Sequence, residues 1–160
     1  MYMSKKKVMF IASTGGHLEE LLQLKDMFSN YNYCLITEKT KSNMYLKNIY
    51  KNRVHYLIYG TKHHFLVYPF KLLINCFISL FYYLKYRPNY IITTGVHTAG
   101  PMCCLGKIFG SKIIYIETFA NMVTKTATGK LIYPISDKFI VQWESMKKLY
   151  PKADFGGWIF

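Results

Sequence analysis

Short apolar runs rich in β-branched and aromatic residues recur along this chain, separated by longer stretches whose apolar positions return every three to four residues. The runs lie at 8–12, 33–37, 54–59, 90–93, 113–116 and 139–142, and each predicts a strand. The stretches between them predict helices at about 17–29, 41–51, 70–86, 99–109, 126–134 and 143–149. Several strands are apolar without alternation, the pattern of a parallel sheet covered by helices on both faces. Such an alternation over 160 residues predicts a single α/β domain spanning 1–160, Rossmann-like, with a mostly parallel sheet.

One helical stretch is unusual. Residues 62–87 read KHHFLVYPFKLLINCFISLFYYLKYR. Leu72, Leu73, Cys76, Phe77, Leu80, Phe81 and Leu84 form a broad apolar face, widened by Ile74 and Ile78. Lys71, Asn75, Ser79, Tyr82 and Tyr86 form a narrow polar stripe. Part of this helix must pack on the sheet, yet one sheet face covers only part of its circumference. Its uncharged run, 72–84, is about 20 Å long as a helix, short of the ~30 Å hydrocarbon core of a bilayer. A helix lying on the membrane surface is therefore expected in preference to a spanning one. The expected contacts are Phe65, Tyr68, Phe70, Lys71, Phe77, Phe81, Tyr82, Lys85 and Arg87, whose aromatic and cationic groups suit the headgroup layer.

Charge strengthens that expectation. Lys and Arg number 21 against 8 Asp and Glu, a net +13, and no acid occurs between Glu38 and Glu117. An anionic partner follows, and an anionic membrane surface fits best. Nucleic acid is disfavoured, because the aromatics cluster with aliphatics instead of punctuating a basic strand. Cys34, Cys76, Cys103 and Cys104 show no CxxC spacing and read as buried thiols of a reducing compartment. The leading apolar run, 8–12, is shorter than the ~7–15 residues of a secretory signal, so the cytoplasmic side is expected.

In a parallel α/β sheet, ligands bind beyond the carboxyl ends of the strands. The segments there are Ser13-Thr14-Gly15-Gly16-His17, Thr94-Gly95-Val96-His97-Thr98-Ala99-Gly100-Pro101 and Glu117-Thr118-Phe119-Ala120-Asn121. Gly15 and Gly16 let a ligand approach backbone amides at a helix start, which suits phosphate; an ordinary strand-to-helix turn would look the same. STGGHLEE lacks the G-x-G-x-x-G spacing of dinucleotide sites, so no such cofactor is expected. His17 fits either a neutral base, kept unprotonated by the helix dipole, or a capping histidine. Glu117 fits a base or an acceptor of sugar hydroxyls, the alternative being a cap on the following turn. Histidine spacing gives no metal site.

STGGHLEELLQL, TTGVHTAGP and KIIYIETFANMVTKTATGKLIYPISDKFIVQWESMKKLYPKADFGG carry a resemblance. They resemble the membrane-anchor subunits of two-chain GlcNAc transferases, the family of the fourteenth asparagine-linked-glycosylation (Alg) protein. The resemblance is closer to capsular and exopolysaccharide subunits described as β-1,4-galactosyltransferase enhancers. It is more distant to the amino-terminal half of the lipid II-forming GlcNAc transferase. The resemblance implies half of a split GT-B glycosyltransferase: an acceptor-binding, membrane-associating subunit at the cytoplasmic face of the cell membrane, peripheral or shallowly inserted. A separate chain would bind the UDP-sugar, and the acceptor would be a polyprenyl-diphosphate-linked sugar. It implies an inverting transfer, with His17 or Glu117 as base. Thr14, Gly15, Gly16, Glu20, Thr94, Gly95, His97, Thr98 and Gly100 are the expected acceptor contacts. A non-catalytic scaffold that recruits and enhances the partner is the alternative. The apolar end, Trp158-Ile159-Phe160, is expected to dock on the partner or to form a last edge strand.

Overall fold

Alternate residues of the central strand enter two separate cores, because a parallel sheet sandwiched between helices has no solvated face. In β1 (Lys7–Ala12), Met9 and Ile11 join one core while Val8, Phe10 and Ala12 join the other. The computed structural model describes residues 5–60, 67–95 and 98–159. Around β1 stand β2 (Asn32–Glu38), β3 (Val54–Leu57), β4 (Tyr90–Gly95), β5 (Lys112–Ile116), β6 (Lys138–Val141) and β7 (Asp154–Phe155). All pair in parallel, in the order β3-β2-β1-β4-β5-β6-β7.

One face is covered by α1 (Gly16–Leu22), α2 (Lys25–Phe28) and α3 (Leu46–Tyr50), which bury Leu18, Leu21, Phe28 and Leu46. The other is covered by α4 (Tyr68–Tyr86), α5 (Ala99–Ile108) and α6 (Ala127–Ile132), which bury Tyr83, Met102, Cys103 and Ile132. The expected helix at 17–29 is two helices, tightened at Gln23 and Leu24 so that Leu21 and Phe28 share one core. The stretch 41–51 opens with a 3-10 turn, Lys41–Asn43, before α3. The last expected helix is a 3-10 segment, Glu144–Lys148. β7, two exposed residues, has no apolar run to announce it.

The long helix α4 is inside out. Its polar stripe, not its apolar face, meets the sheet: Asn75 and Ser79 are buried while Phe70, Leu73, Phe77, Phe81 and Leu84 are exposed. Hydrogen bonding explains the choice. Just beyond β3, the backbone of Ile58 needs partners, and the Asn75 amide supplies both, accepting from Ile58 N and donating to Ile58 O, each at 2.8 Å. Lys71 Nζ donates to Tyr59 O at 3.1 Å. At the far end Ser111 Oγ donates to Pro88 O, so it accepts from the Tyr83 hydroxyl at 2.8 Å.

This arrangement sorts the expected membrane contacts. Phe70, Phe77, Phe81, Lys85 and Arg87 face outward. Tyr82 does not stand free, because its ring stacks on His55, whose Nε2 is hydrogen-bonded to the Tyr86 hydroxyl. Tyr68 is half-buried, and Phe65 lies outside the described residues. No helix among the described residues is long and apolar enough to cross a membrane.

Asn75→Ala is expected to cost about 1–3 kcal/mol, since it strands two backbone groups. Phe77→Ser, on the exposed side, is expected to stay within about 0.5 kcal/mol of the parent. Urea denaturation of the two variants checks both.

Candidate functional site

The chain winds outward in both directions from the β1–β4 pair, which places a topological switch point, and its crevice, at the carboxyl ends of those two strands. The turn after β1 and the end of β4 form its walls, joined by Ser13 N donating to Gly95 O at 3.2 Å. Gly15 has φ of 84°, a region that strongly favours glycine. Gly16 has no such need, and a Cβ there would meet nothing within 4 Å. Its missing side chain leaves open space in front of the backbone. Gly95, at φ of 105°, also makes a close approach: a Cβ would lie 3.2 Å from the Tyr115 hydroxyl and 3.6 Å from His17 Nδ1.

His17, the second residue of α1, leans across to β4. Its Nδ1 lies 2.8 Å from Thr94 O, while Thr94 Oγ1 donates back to His17 O at 2.6 Å. A carbonyl only accepts, so Nδ1 carries the proton and the lone pair of the neutral ring sits on Nε2. Glu20 stands one turn on, with Oε2 3.6 Å from Nδ1. Burial alone would lower the histidine pKa. The hydrogen bond and charge of Glu20 outweigh burial, aided by the Thr94 carbonyl and the charge of Glu117, and the pKa is raised. The shift runs opposite to the lowering expected from the helix dipole. Glu20 moves the opposite way: burial is overcome by bonds from His17, Thr118 and Phe119, and its pKa is lowered. Thr118 Oγ1 and Phe119 N donate to Glu20 Oε1 at 2.6 and 3.0 Å, tying α1 to the end of β5.

Glu117 closes β5 and is 1% exposed. Its carboxylate accepts from Thr118 N at 3.2 Å, from Thr126 Oγ1 at 3.1 Å and from the Tyr150 hydroxyl at 3.2 Å, with the Tyr115 hydroxyl at 3.5 Å. Burial raises its pKa despite these bonds. Among the described residues, every donor to this carboxylate is the protein's own. Gly129 fits this nest closely: a Cβ there would lie 2.6 Å from Glu117 Oε2 and 2.7 Å from Thr126 Oγ1.

Thr14 belongs to another part of the rim. Its N donates to Glu38 Oε2 at 3.3 Å, and its hydroxyl meets Thr40 Oγ1 and Asn43 Nδ2, each at 3.3 Å. Sequence reasoning missed Glu38, Thr40 and Asn43 as rim residues. The available signal was Thr40-Lys41-Ser42-Asn43, which forms a capping box. Phe119 of the rim segment and Trp158 of the apolar end are joined by Trp143, which sequence reasoning missed, and Trp143 Nε1 donates to Phe119 O at 2.7 Å. Thr98 and Gly100 are buried at the start of α5, and the Thr98 hydroxyl has no hydrogen-bond partner among the described residues. His97 lies outside the described residues. The structure thus gathers His17, Glu20, Thr94 and Gly95 around one crevice, with Glu117 beneath it. Among the described residues no cluster suits a metal ion.

A seven-stranded parallel sheet of this order, with its glycine-lined crevice at the switch point, is the Rossmann-like half from which GT-B glycosyltransferases are built. Acinetobacter baumannii MurG superposes with a TM-score of 0.70 at 18% identity, over 88% of this chain and 42% of that one. A UDP-N-acetylglucosamine 2-epimerase from Rickettsia bellii gives 0.69 at 16% identity, over 92% of this chain and 41% of its own. The family model "Oligosaccharide biosynthesis protein Alg14 like" matches residues 8–159, and the chain belongs to that family. The UDP-N-acetylglucosamine transferase subunit ALG14 of Candida albicans is 41% identical over 80 residues, 46% of this chain and 36% of that protein. The human subunit of the same name is 27% identical over 180 residues, covering 94% of this chain and 81% of its own. The chain thus spans little more than a third of the fungal relative's length.

The His17–Glu20 pair predicts a pH signature. A raised histidine pKa stabilises the fold fully below the ordinary 6.5 and loses that contribution as pH rises through the folded value. A lowered glutamate pKa contributes fully above the ordinary 4.5 and fades as pH falls through its folded value. Glu20→Gln is therefore expected to lose most stability between pH 4.5 and 6.5, read as the difference from parent in denaturation midpoints across that range and above it.

Proposed function

We propose that this chain is the acceptor-binding, membrane-associating subunit of a two-chain inverting glycosyltransferase, acting at the cytoplasmic face of a membrane. The observation that carries the reading is the reversed polarity of α4: a sheet-packed helix exposes a phenyl and leucyl face, and its first turns share a groove with Gly100 at the start of α5. Water would leave that face the most costly surface of the domain, and an acyl layer removes the cost. The positive charge of the chain draws it to anionic lipid. Relatives named as UDP-N-acetylglucosamine transferase subunits support the reaction class, and half of a GT-B pair needs a second chain for its nucleotide sugar.

In this reading a polyprenyl-diphosphate-linked sugar is the acceptor. Its diphosphate lies against the Gly15-Gly16 turn and the amino end of α5, where the Thr98 hydroxyl has no partner among the described residues. The terminal sugar points over His17. With Nδ1 committed to Thr94 O, Nε2 takes the proton of the acceptor hydroxyl, and that oxygen displaces UDP from the anomeric carbon. Glu20 raises the basicity of the ring and stabilises the imidazolium that forms. Glu117 acts as a positioning residue: it holds Thr118 and the β5 end that orient Glu20. A capsule or exopolysaccharide setting, with a galactosyl donor bound by the partner, is the particular pathway proposed.

The chain co-produced with its donor-binding partner is expected to glycosylate a prenyl-linked acceptor. His17→Ala is expected to cut turnover by about 10²–10⁴ with assembly retained. A His17→Ala complex as fast as the parent would remove His17 from that role, and rim variants that all activate as well as the parent would favour the scaffold. Flotation with vesicles containing phosphatidylglycerol tests the membrane half: the parent is expected to float at low salt, and Phe77→Glu/Phe81→Glu to remain below.

A further inference from the structure

The sequence predicts four buried thiols, and the structure buries only two. Cys34 and Cys103 are buried, whereas Cys76 and Cys104 are partly exposed. The exposed two are also the two that meet. A groove of about 400 Å³ runs between α4 and α5, with Leu72 and Cys76, one helical turn apart, on its α4 side and Pro101 and Cys104 on its α5 side. Cys103, the chain neighbour of Cys104, lies instead in the core with Met9 and Ile91. Burial raises the pKa of Cys76, and the charge of Cys104 raises it further, so each sulfur lies within electrostatic reach of the other. Among the described residues no third Cys, His, Asp or Glu gathers with them, and the pair lacks the further ligands that a zinc ion takes.

We infer that Cys76 and Cys104 form a redox-modification site, which a hydroperoxide converts to a reversible disulfide that latches α4 to α5 across the groove. The inference is independent of the transferase reading, since it concerns the chain alone. One thiolate attacks the O–O bond and becomes a sulfenic acid as water or an alcohol leaves. The second thiolate attacks that sulfur, the S–S bond forms and water departs. Two thiol hydrogens and two electrons have then passed to the peroxide, and a small thiol reverses the change. The bond holds its two Cβ atoms about 3.8 Å apart, and the open groove gives both side chains room to rotate toward each other. A reducing compartment keeps the latch open at rest, and oxidative stress closes it. The two helices differ in what they hold: α5 buries Met102 and Cys103 in the core, while α4 turns Leu73 and Phe77 outward. Closing the latch therefore ties the exposed apolar face to the interior of the domain.

Mass spectrometry of the purified full chain supplies the test. Treatment with hydrogen peroxide is expected to remove about 2 Da from the intact mass, restored by dithiothreitol. Peptide mapping without reductant is expected to link Cys76 to Cys104 and to leave Cys34 and Cys103 as thiols. The reaction is expected to quicken as pH rises and Cys76 ionises. Cys76→Ser and Cys104→Ser are each expected to abolish the mass loss while keeping the melting temperature of the reduced parent. Phenylarsine oxide, which bridges two neighbouring thiols, reads the pair without any substitution: one equivalent is expected to bind and to block the oxidation. Amide exchange along α4 is expected to slow in the oxidised chain. A link between Cys103 and Cys104, links formed only between chains, or oxidation to sulfinic acid with no link at all would overturn the site. Unchanged exchange along α4 in a linked chain would overturn the latch.

Discussion

A carboxylate withdrawn from water at the end of β5 organises this domain. An unpaired charge in that position would be costly, so the fold brings donors to it from several directions. Thr126 comes from the turn that starts α6, Tyr150 from the segment after β6, and Thr118 from the next residue of the chain. Each donor carries its element with it. The β5 end, α6 and the closing segment are thereby locked together, and Gly129 has no room for a side chain because the nest is complete without one. The rim inherits this rigidity: Thr118, held by Glu117 through its amide, presents its hydroxyl to Glu20, which faces His17.

The inverted helix follows from the same rule applied elsewhere. Polar groups go where backbone must be answered, and the backbone beyond β3 lies under α4. Once Asn75 is fixed there, helical geometry sends Phe70, Phe77 and Phe81 outward, whatever their hydropathy. An exposed apolar face is thus the geometric complement of a buried hydrogen bond. One element thus carries both a buried polar stripe and an exposed apolar face.

How much of this was legible in the sequence depends on the range of the interactions. Six strands stand out as apolar runs, and the sheet's class follows from their lack of alternation. Both stripes of α4 are visible as periodicity, but periodicity names the faces of a helix without saying which meets the sheet; that is settled by Ile58, seventeen residues away from Asn75. Glu117 is recognisable as an acid closing a strand. Its burial is not, because its donors Thr126 and Tyr150 lie 9 and 33 residues further on. His17 is recognisable as a histidine on the rim, but its tautomer is not, because the Thr94 carbonyl that fixes it lies 77 residues distant.

The aromatic group on the rim has an optical consequence. The chain has two tryptophans, and both Trp143 and Trp158 stand against Phe119, at the carboxyl edge of the sheet. Trp158 is largely open to solvent, while Trp143 is anchored through its indole nitrogen. Tryptophan emission from this protein therefore originates at that carboxyl edge, and a blue shift in it reports dehydration there without any attached dye.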